Sequence, residues 1–282
     1  MQLIRIGELN QEKPGVLIDG KQIDLSTQFD DWNQDFFENN GLSKLKKALK
    51  ENSFEEFEPN QRIGSCIARP RKIICIGLNY FDHAKEAGME VPKEPIVFMK
   101  ATNTISGPYD NVLIPPGSIK SDWEVELGIV IEKECSYLKS EEDAEKVIAG
   151  YCISNDVSER EWQLERSGQW TKGKSFKSFN PTGPFLATKD EVSDPENLKM
   201  NLSINGVEKQ NGNTKTMIFK PNFIVQHLSQ FMTLEAGDLI STGTPPGVGM
   251  GFKPQQFLKH GDEIVLEIEG LGKQKQKCIQ LD

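Results

Sequence analysis

The chain lacks the marks of several protein classes. It has five cysteines in 282 residues, an odd number, and none forms a Cys-x-x-Cys pair. That argues against a disulfide framework and against a thiolate zinc site. Cys75 and Cys152 lie inside apolar runs and read as small buried hydrophobes. No apolar stretch approaches the roughly 20 residues that a membrane-spanning helix needs. The opening MQLIRIGELNQEKPG has no long apolar core of the signal-peptide kind, so a cytoplasmic location is expected. Positive charge is in deficit, with 33 Lys and Arg against 42 Asp and Glu, a net charge of −9 and a pI near 5.1. A general nucleic-acid binder needs a basic face to displace counterions, so neither nucleic acid nor membrane is an expected partner. No repeat of fixed period and no low-complexity tract is found.

What is present suffices for a packed core: 37% hydrophobic residues, with 15 Phe and 4 Trp. The length predicts one large domain, or one plus a small one. Residues 1–68 read as a small β-rich domain and linker. MQLIRI, GVLID and KQIDL are short strands with turns between them, followed by a helix over Leu42–Leu49 and a Pro-interrupted linker near Ala68–Arg71. Residues 69–282 read as the larger domain, with buried strands at Lys72–Leu78 and Pro95–Met99 and an alternating strand at Trp123–Glu132. Helices are predicted at Glu141–Ile148, Ser158–Gln163 and Pro221–Phe231. Many strands with few intervening helices give a mixed α/β, β-rich fold.

The segment Ser121–Glu132 (SDWEVELGIVIE) carries the first chemical signal. Trp123, Val125, Leu127, Ile129 and Ile131 share one face of a strand, and Glu124 and Glu126 project from the other, about 7 Å apart. The pair reads either as a solvated acidic face or as ligands of a hard divalent cation. Asp156, at the end of the apolar run GYCISND, could reach a neighbouring strand and join them, or could cap the helix expected after it. In NYFDHAKEAG, His83 and Glu86 are three apart on a short helix, where a carboxylate can orient an imidazole as a general base. Standing alone, such a pair also fits a structural role. Of the other histidines, His227 reads as a core residue and His260 as a surface turn. In QWTKGKSF, Lys174 is expected to enter a strand and aim a cation at an anionic substrate, the alternative being a solvated loop lysine. STGTPPGVGMG is a rigid loop offering backbone N–H groups and Thr hydroxyls. It is neither a phosphate-binding Walker loop nor a dinucleotide fingerprint.

Seven strings in order, IICIGLNYFDHAKEAG, EPIVFMK, DWEVELGIVI, AGYCISNDVSEREWQ, QWTKGKSF, GNTKTMIF and DLISTGTPPGVGMG, resemble the fumarylacetoacetate hydrolase superfamily over about Lys72 to Gly272. The resemblance implies a β-sandwich or rolled β-structure of the fumarylacetoacetate hydrolase C-terminal type, acting as a homodimer. It implies a Mg²⁺ or Mn²⁺ site made by Glu124, Glu126 and Asp156. It further implies catalytic roles for His83, Glu86 and Lys174, and substrate contacts from Arg160, Gln163 and Thr244. Lys177 stands in SFKSFNP, where relatives often carry a small or acidic residue. Applied to a 2,4-dioxo acid, these parts give hydrolysis. His83 takes a proton from water, hydroxide attacks C4, the C3–C4 bond breaks, and pyruvate leaves as an enolate whose charge the cation and Lys174 offset. The strings are similar to those of 2,4-dioxo-3-deoxy-fuconate and rhamnonate hydrolases, whose relatives are often labelled ureidoglycolate lyase. The same machinery would serve an oxaloacetate decarboxylase or a 2-oxo-4-enoate hydratase, and a non-enzymatic reading is a silent metal-binding scaffold. A helix of two turns around His83 is too short to be stable alone, so a lid over residues 80–92 is expected.

Overall fold

The computed structural model describes residues 1–86 and 90–282, and of residues 83–85 only the backbone. Two sheets dominate. The larger has ten strands, running Lys21–Asp24, Lys13–Ile18, Gln2–Ile6, Asn180–Thr188, Ile148–Asn155, Val125–Ile131, Leu239–Ser241, Ile73–Gly77 and Ile96–Lys100, with Ile105–Ser106 paired beside Asn180–Thr188. The smaller has five: Val207–Asn213, Lys199–Ile204, Glu263–Ile268, Gly272–Gln280 and Val112–Ile114. This is the mixed α/β, strand-rich fold that the sequence predicts.

The alternation in Val125–Ile131 explains how the sheets meet. Val125, Leu127, Ile129 and Ile131 join one apolar cluster with Met200, Leu202, Ile264 and Leu266 of the smaller sheet. Val130 faces the other way, into a second cluster with Trp32, Phe37 and Leu45 from the leading segment. Both faces of this strand are therefore covered, which corrects the solvated-face reading of Glu124 and Glu126. The leading segment is continuous with the large sheet, since Gln2–Ile6 pairs antiparallel with Asn180–Thr188. Its helix runs Gly41–Glu51.

Two strand ends set up the site. Ile148–Asn155 runs antiparallel to Val125–Ile131 with Ser154 opposite Glu126 and Asn155 opposite Val125. One residue further on, Asp156 donates its backbone N–H to the Glu124 carbonyl at 3.0 Å. Leu239–Ser241 and Ile73–Gly77 run parallel, so their following segments leave the same rim of the sheet. Asn79 ties these exits together, its amide donating to the carbonyls of Thr242 (2.7 Å) and Phe219 (2.9 Å).

Some elements differ from expectation. Ser158–Glu159 is a short strand paired with Ser121–Asp122, and a five-residue π-helical turn, Glu161–Glu165, replaces the predicted helix. The Glu159 carboxylate accepts the Trp162 N–H at 2.8 Å and the Ser118 hydroxyl at 3.0 Å, holding the strand and turning the chain after it. The helices predicted at Glu141–Ile148 and Pro221–Phe231 end earlier, at Lys146 and Leu228. Lys174 is not in a strand but closes a helical turn, Thr171–Lys174. A methyl on Gly173 would stand 2.3 Å from the Glu159 carbonyl oxygen, so only glycine lets that turn press against the neighbouring strand.

Candidate active site

Glu124 immediately precedes the buried strand Val125–Ile131, Glu126 is the second residue of that strand, and Asp156 lies just past the end of its neighbour. Their exposures are 6%, 2% and 0%. One carboxylate oxygen from each lies within 4.8 Å of the others. Lys174 Nζ is 2.7 Å from both Glu124 Oε2 and Asp156 Oδ2. Burial works against the Lys174 ammonium, but Asp156 and Glu124 outweigh it and hold its pKa above the ordinary lysine value. Glu126 is placed differently. Burial, then the charges of Asp156 and Glu124, push its carboxyl well above the ordinary 4.5, against Lys174 and the Gly243 N–H, which donates to Oε2 at 2.9 Å.

These residues fit a hard divalent cation. All three ligands are oxygens. Their spread matches the 4–5 Å span of one coordination shell, roughly twice a metal–oxygen distance of about 2.0–2.5 Å. The crowding that disfavours the Glu126 anion is what a second positive charge would relieve.

Arg160 and Gln163 complete one wall. Arg160 Nε donates to Asp122 Oδ2 at 2.8 Å, Nη1 donates to Gln163 Oε1 at 2.9 Å, and Nη2 is 2.7 Å from Glu124 Oε1. The Asp122 and Glu124 charges hold this buried guanidinium's pKa above its usual value despite the penalty of burial. The Thr244 hydroxyl donates to the Val125 carbonyl at 2.9 Å and accepts from Gln210 Nε2 at 2.8 Å, so it fastens the loop to the acid-bearing strand. Glu86, on the helix Phe81–Glu86, accepts the Gly247 N–H at 3.1 and 3.2 Å and so meets the glycine-proline loop. The His83 side chain and residues 87–89 of the expected lid lie outside the described residues. His227 is ring-stacked beside Phe223 on its helix, and His260 is exposed, both away from this cluster.

The cluster opens into a cleft of roughly 290 Å³ bordered by Glu86, Glu124, Glu126, Arg160, Lys174 and Thr244. Two further site residues escaped sequence reasoning. Lys100, 3% exposed, pairs with Asp156 Oδ1 and donates to the carbonyls of Phe179 (2.7 Å) and Val157 (3.1 Å). Its signal is a lysine closing the apolar run PIVFM. Asp122 accepts the backbone N–H groups of Gly249 (2.7 Å) and Met250 (3.0 Å) as well as Arg160 Nε. Its signal is a third acid at the same two-residue spacing as Glu124 and Glu126.

The chain matches the fumarylacetoacetate (FAA) hydrolase C-terminal family over residues 72–279 and belongs to it. Members of that family are hydrolases and isomerases. A Burkholderia multivorans protein provisionally named hydrolase is 52% identical over 278 residues, 98% of each chain. Among solved structures, one from Mycobacterium abscessus described as a 2-hydroxyhepta-2,4-diene-1,7-dioate isomerase superposes with TM-score 0.83, 31% identity and full coverage of both chains. Maleylpyruvate hydrolase of Sphingobium sp. SYK-6, in complex with manganese(II) and pyruvate, superposes with TM-score 0.80, 27% identity and full coverage of both chains. Among the described residues no helix is long and apolar enough to cross a membrane.

Proposed function

We propose that this chain is a divalent-metal-dependent hydrolase that cleaves the C3–C4 bond of a 2,4-dioxo acid, giving pyruvate and a carboxylic acid. The observation that carries the reading is the convergence of Glu124, Glu126 and Asp156 on one point beside Lys174. The manganese and pyruvate held by the Sphingobium relative support it. Glu124, Glu126 and Asp156 would hold Mg²⁺ or Mn²⁺. When bound, the ion supplies a Lewis acid for the oxygens of a 2-oxo acid.

The protein groups do the rest. Arg160 and Gln163 orient the substrate carboxylate, and the loop that Thr244 fastens closes one side. His83 takes a proton from water, with Glu86 positioning the helix that carries it. The water oxygen bonds to C4, and the C3–C4 electron pair moves to C3 as an enolate. Lys174 offsets the negative charge on the 2-oxo oxygen, and C3 is then protonated. The finer reading is a 2,4-dioxo-3-deoxy sugar acid such as 2,4-diketo-3-deoxy-L-fuconate, supported by the strings NDVSER, QWTKGKSF and STGTPPGVGMG. The working unit in this reading is a homodimer, which light scattering tests.

Product analysis decides the reaction. The purified protein with Mg²⁺ or Mn²⁺ is offered 2,4-dioxo-3-deoxyfuconate, acetylpyruvate, oxaloacetate and ureidoglycolate. Pyruvate from the first two, with little CO₂ from oxaloacetate, supports hydrolysis. Decarboxylation as the dominant activity, glyoxylate from ureidoglycolate, or no turnover in any case would overturn it.

A further inference from the structure

The lining of the cleft is not all charged: beside the acids and cations of the site it carries rings and aliphatic side chains. Lys174 Nζ lies 5.1 Å from the centre of the Phe98 ring. Phe98 meets Trp170 edge-on, with ring centres 5.3 Å apart and planes at 64°. Both border the cleft, as do Leu78, Leu164, Val248 and Met250. The Trp170 indole lies against the end of the strand Ile73–Gly77. A methyl on Gly77 would stand 2.5 Å from Trp170 Cζ3 and 3.0 Å from Cη2. Gly77 is not among the residues with positive φ, so the position is glycine because the indole fills the space.

Resting on the hydrolase reading, we propose that the Phe98–Trp170 pair determines specificity, selecting 2-oxo acids whose far end is a methyl or short alkyl group over those ending in a hydroxymethyl or a carboxylate. A substrate whose 2-oxo acid head lies at Lys174 and the three acids places its next carbons against Phe98 and its terminus near Trp170. A hydroxyl or carboxylate moved from water to that wall loses hydrogen bonds that ring and alkyl carbons do not replace. Among the polar groups nearby, the Gln163 amide oxygen is taken by Arg160, and the Lys174 ammonium by Glu124 and Asp156. Lys253 and Gln255 border the cleft but are exposed, and a hydrated surface ammonium attracts a carboxylate only weakly. Sugar acids whose chain ends in a methyl group fall inside the selected class.

One methylene in an apolar pocket is typically worth about 10–200-fold in selection. The test uses the full-length protein loaded with Mn²⁺ and two unreactive six-carbon acids, 2-oxohexanoate and 2-oxoadipate, with binding read by calorimetry. The wild type is expected to bind 2-oxohexanoate at least about tenfold more tightly. Trp170→Ala, and separately Gly77→Ala, which displaces the indole, are expected to bring the ratio within about threefold. Equal or tighter binding of 2-oxoadipate, binding of neither acid, or a ratio unchanged in the folded variants overturns the proposal. Turnover of 2,4-dioxohexanoate against 2,4-dioxoadipate separates the two layers. Selective binding without hydrolysis of either leaves the wall standing and overturns the hydrolase reading. Hydrolysis of both at equal kcat/KM overturns the wall and leaves the hydrolase.

Discussion

Asp156 donates its backbone N–H to the carbonyl of Glu124 at 3.0 Å, so two metal-competent side chains are locked together through main chain rather than through their own flexible ends. The relation fixes where the acids meet before any ion arrives, and it makes the effect of removing one of them specific. Asp156→Asn keeps the shape and the backbone bond but removes the charge. Mn²⁺ affinity, read by electron paramagnetic resonance, is expected to fall at least about tenfold, within the range typical of lost site interactions. Chelation of the wild type with EDTA should abolish activity, with recovery on adding Mg²⁺ or Mn²⁺. Unchanged affinity in the variant would remove Asp156 from the ligand set.

Lys100 is a buried cation whose partners are Asp156 and two carbonyl oxygens. Lys100→Met removes this shared donor, leaving Asp156 with Lys174 and the Phe179 carbonyl with the Val157 N–H, while roughly preserving volume. Breaking a buried pair by removing one member typically costs about 3–5 kcal/mol, so urea denaturation of the variant should show a loss of that order. A loss below about 1 kcal/mol would mean that water or another group replaces the ammonium.

Glu126 gives the site a pH dependence with a definite sign. Its carboxyl is raised above the ordinary 4.5 by burial first and by Asp156 and Glu124 after it. Without metal, the folded protein keeps a proton there that the unfolded chain releases. Glu126 therefore lowers stability as pH rises above 4.5 towards its raised value. Metal binding expels the proton, so metal affinity should increase over the same range. Thermal melts in EDTA should show a downward contribution in wild type that Glu126→Gln, neutral at every pH, lacks. Identical pH slopes in the two proteins would refute the assignment.

Asp122 holds Arg160 on one side and the N–H groups of Gly249 and Met250 on the other. Asp122→Asn weakens both grips at once. Hydrogen bonds to charged groups are worth about 1.5–3 kcal/mol, roughly 10–150-fold. The expected result is a rise in KM of about tenfold or more, with a smaller change in kcat. A double-mutant cycle with Arg160→Lys should give non-additive losses, because the two residues act through one contact. Additive losses would place Asp122 outside substrate positioning.

His83→Ala tests the water-activating role directly. General-base catalysis typically contributes about 10²–10⁴-fold, so hydrolysis of acetylpyruvate should fall by that amount. Any decarboxylation of oxaloacetate, which needs no attacking water, should fall far less. Equal losses in both reactions would assign His83 to binding instead.

Much of this arrangement was legible in the chain itself. The two-residue spacing of Glu124 and Glu126 against Val125 and Leu127 put the acids on the opposite face of a strand from its core-facing residues, and the apolar run before Asp156 marked a second strand end. Sequence spacing could not say that both faces of the acid-bearing strand are covered, because that depends on the leading segment folding onto the sheet, with Trp32, Phe37 and Leu45 lying 85 to 98 residues before Val130. QWTKGKSF carries no period that distinguishes a strand from the helical turn that holds Lys174; the tight fit of Gly173 against the Glu159 carbonyl is a tertiary fact. Ser158–Glu159 failed as a helix for a similar reason, since pairing with Ser121–Asp122 overrides local preference. Lys100 and Asp122 carry only faint marks in the sequence, a lysine closing an apolar run and a third acid in an alternating series, and their long-range partners give those marks their meaning.

The parallel pairing of Leu239–Ser241 with Ile73–Gly77 has an evolutionary consequence. The segment bearing His83 and the glycine-proline loop emerge side by side, while the acids sit on a separate antiparallel pair. Descendants of such a scaffold can lengthen or rewrite either emerging segment, and so change diet, without retuning the acidic floor beneath them.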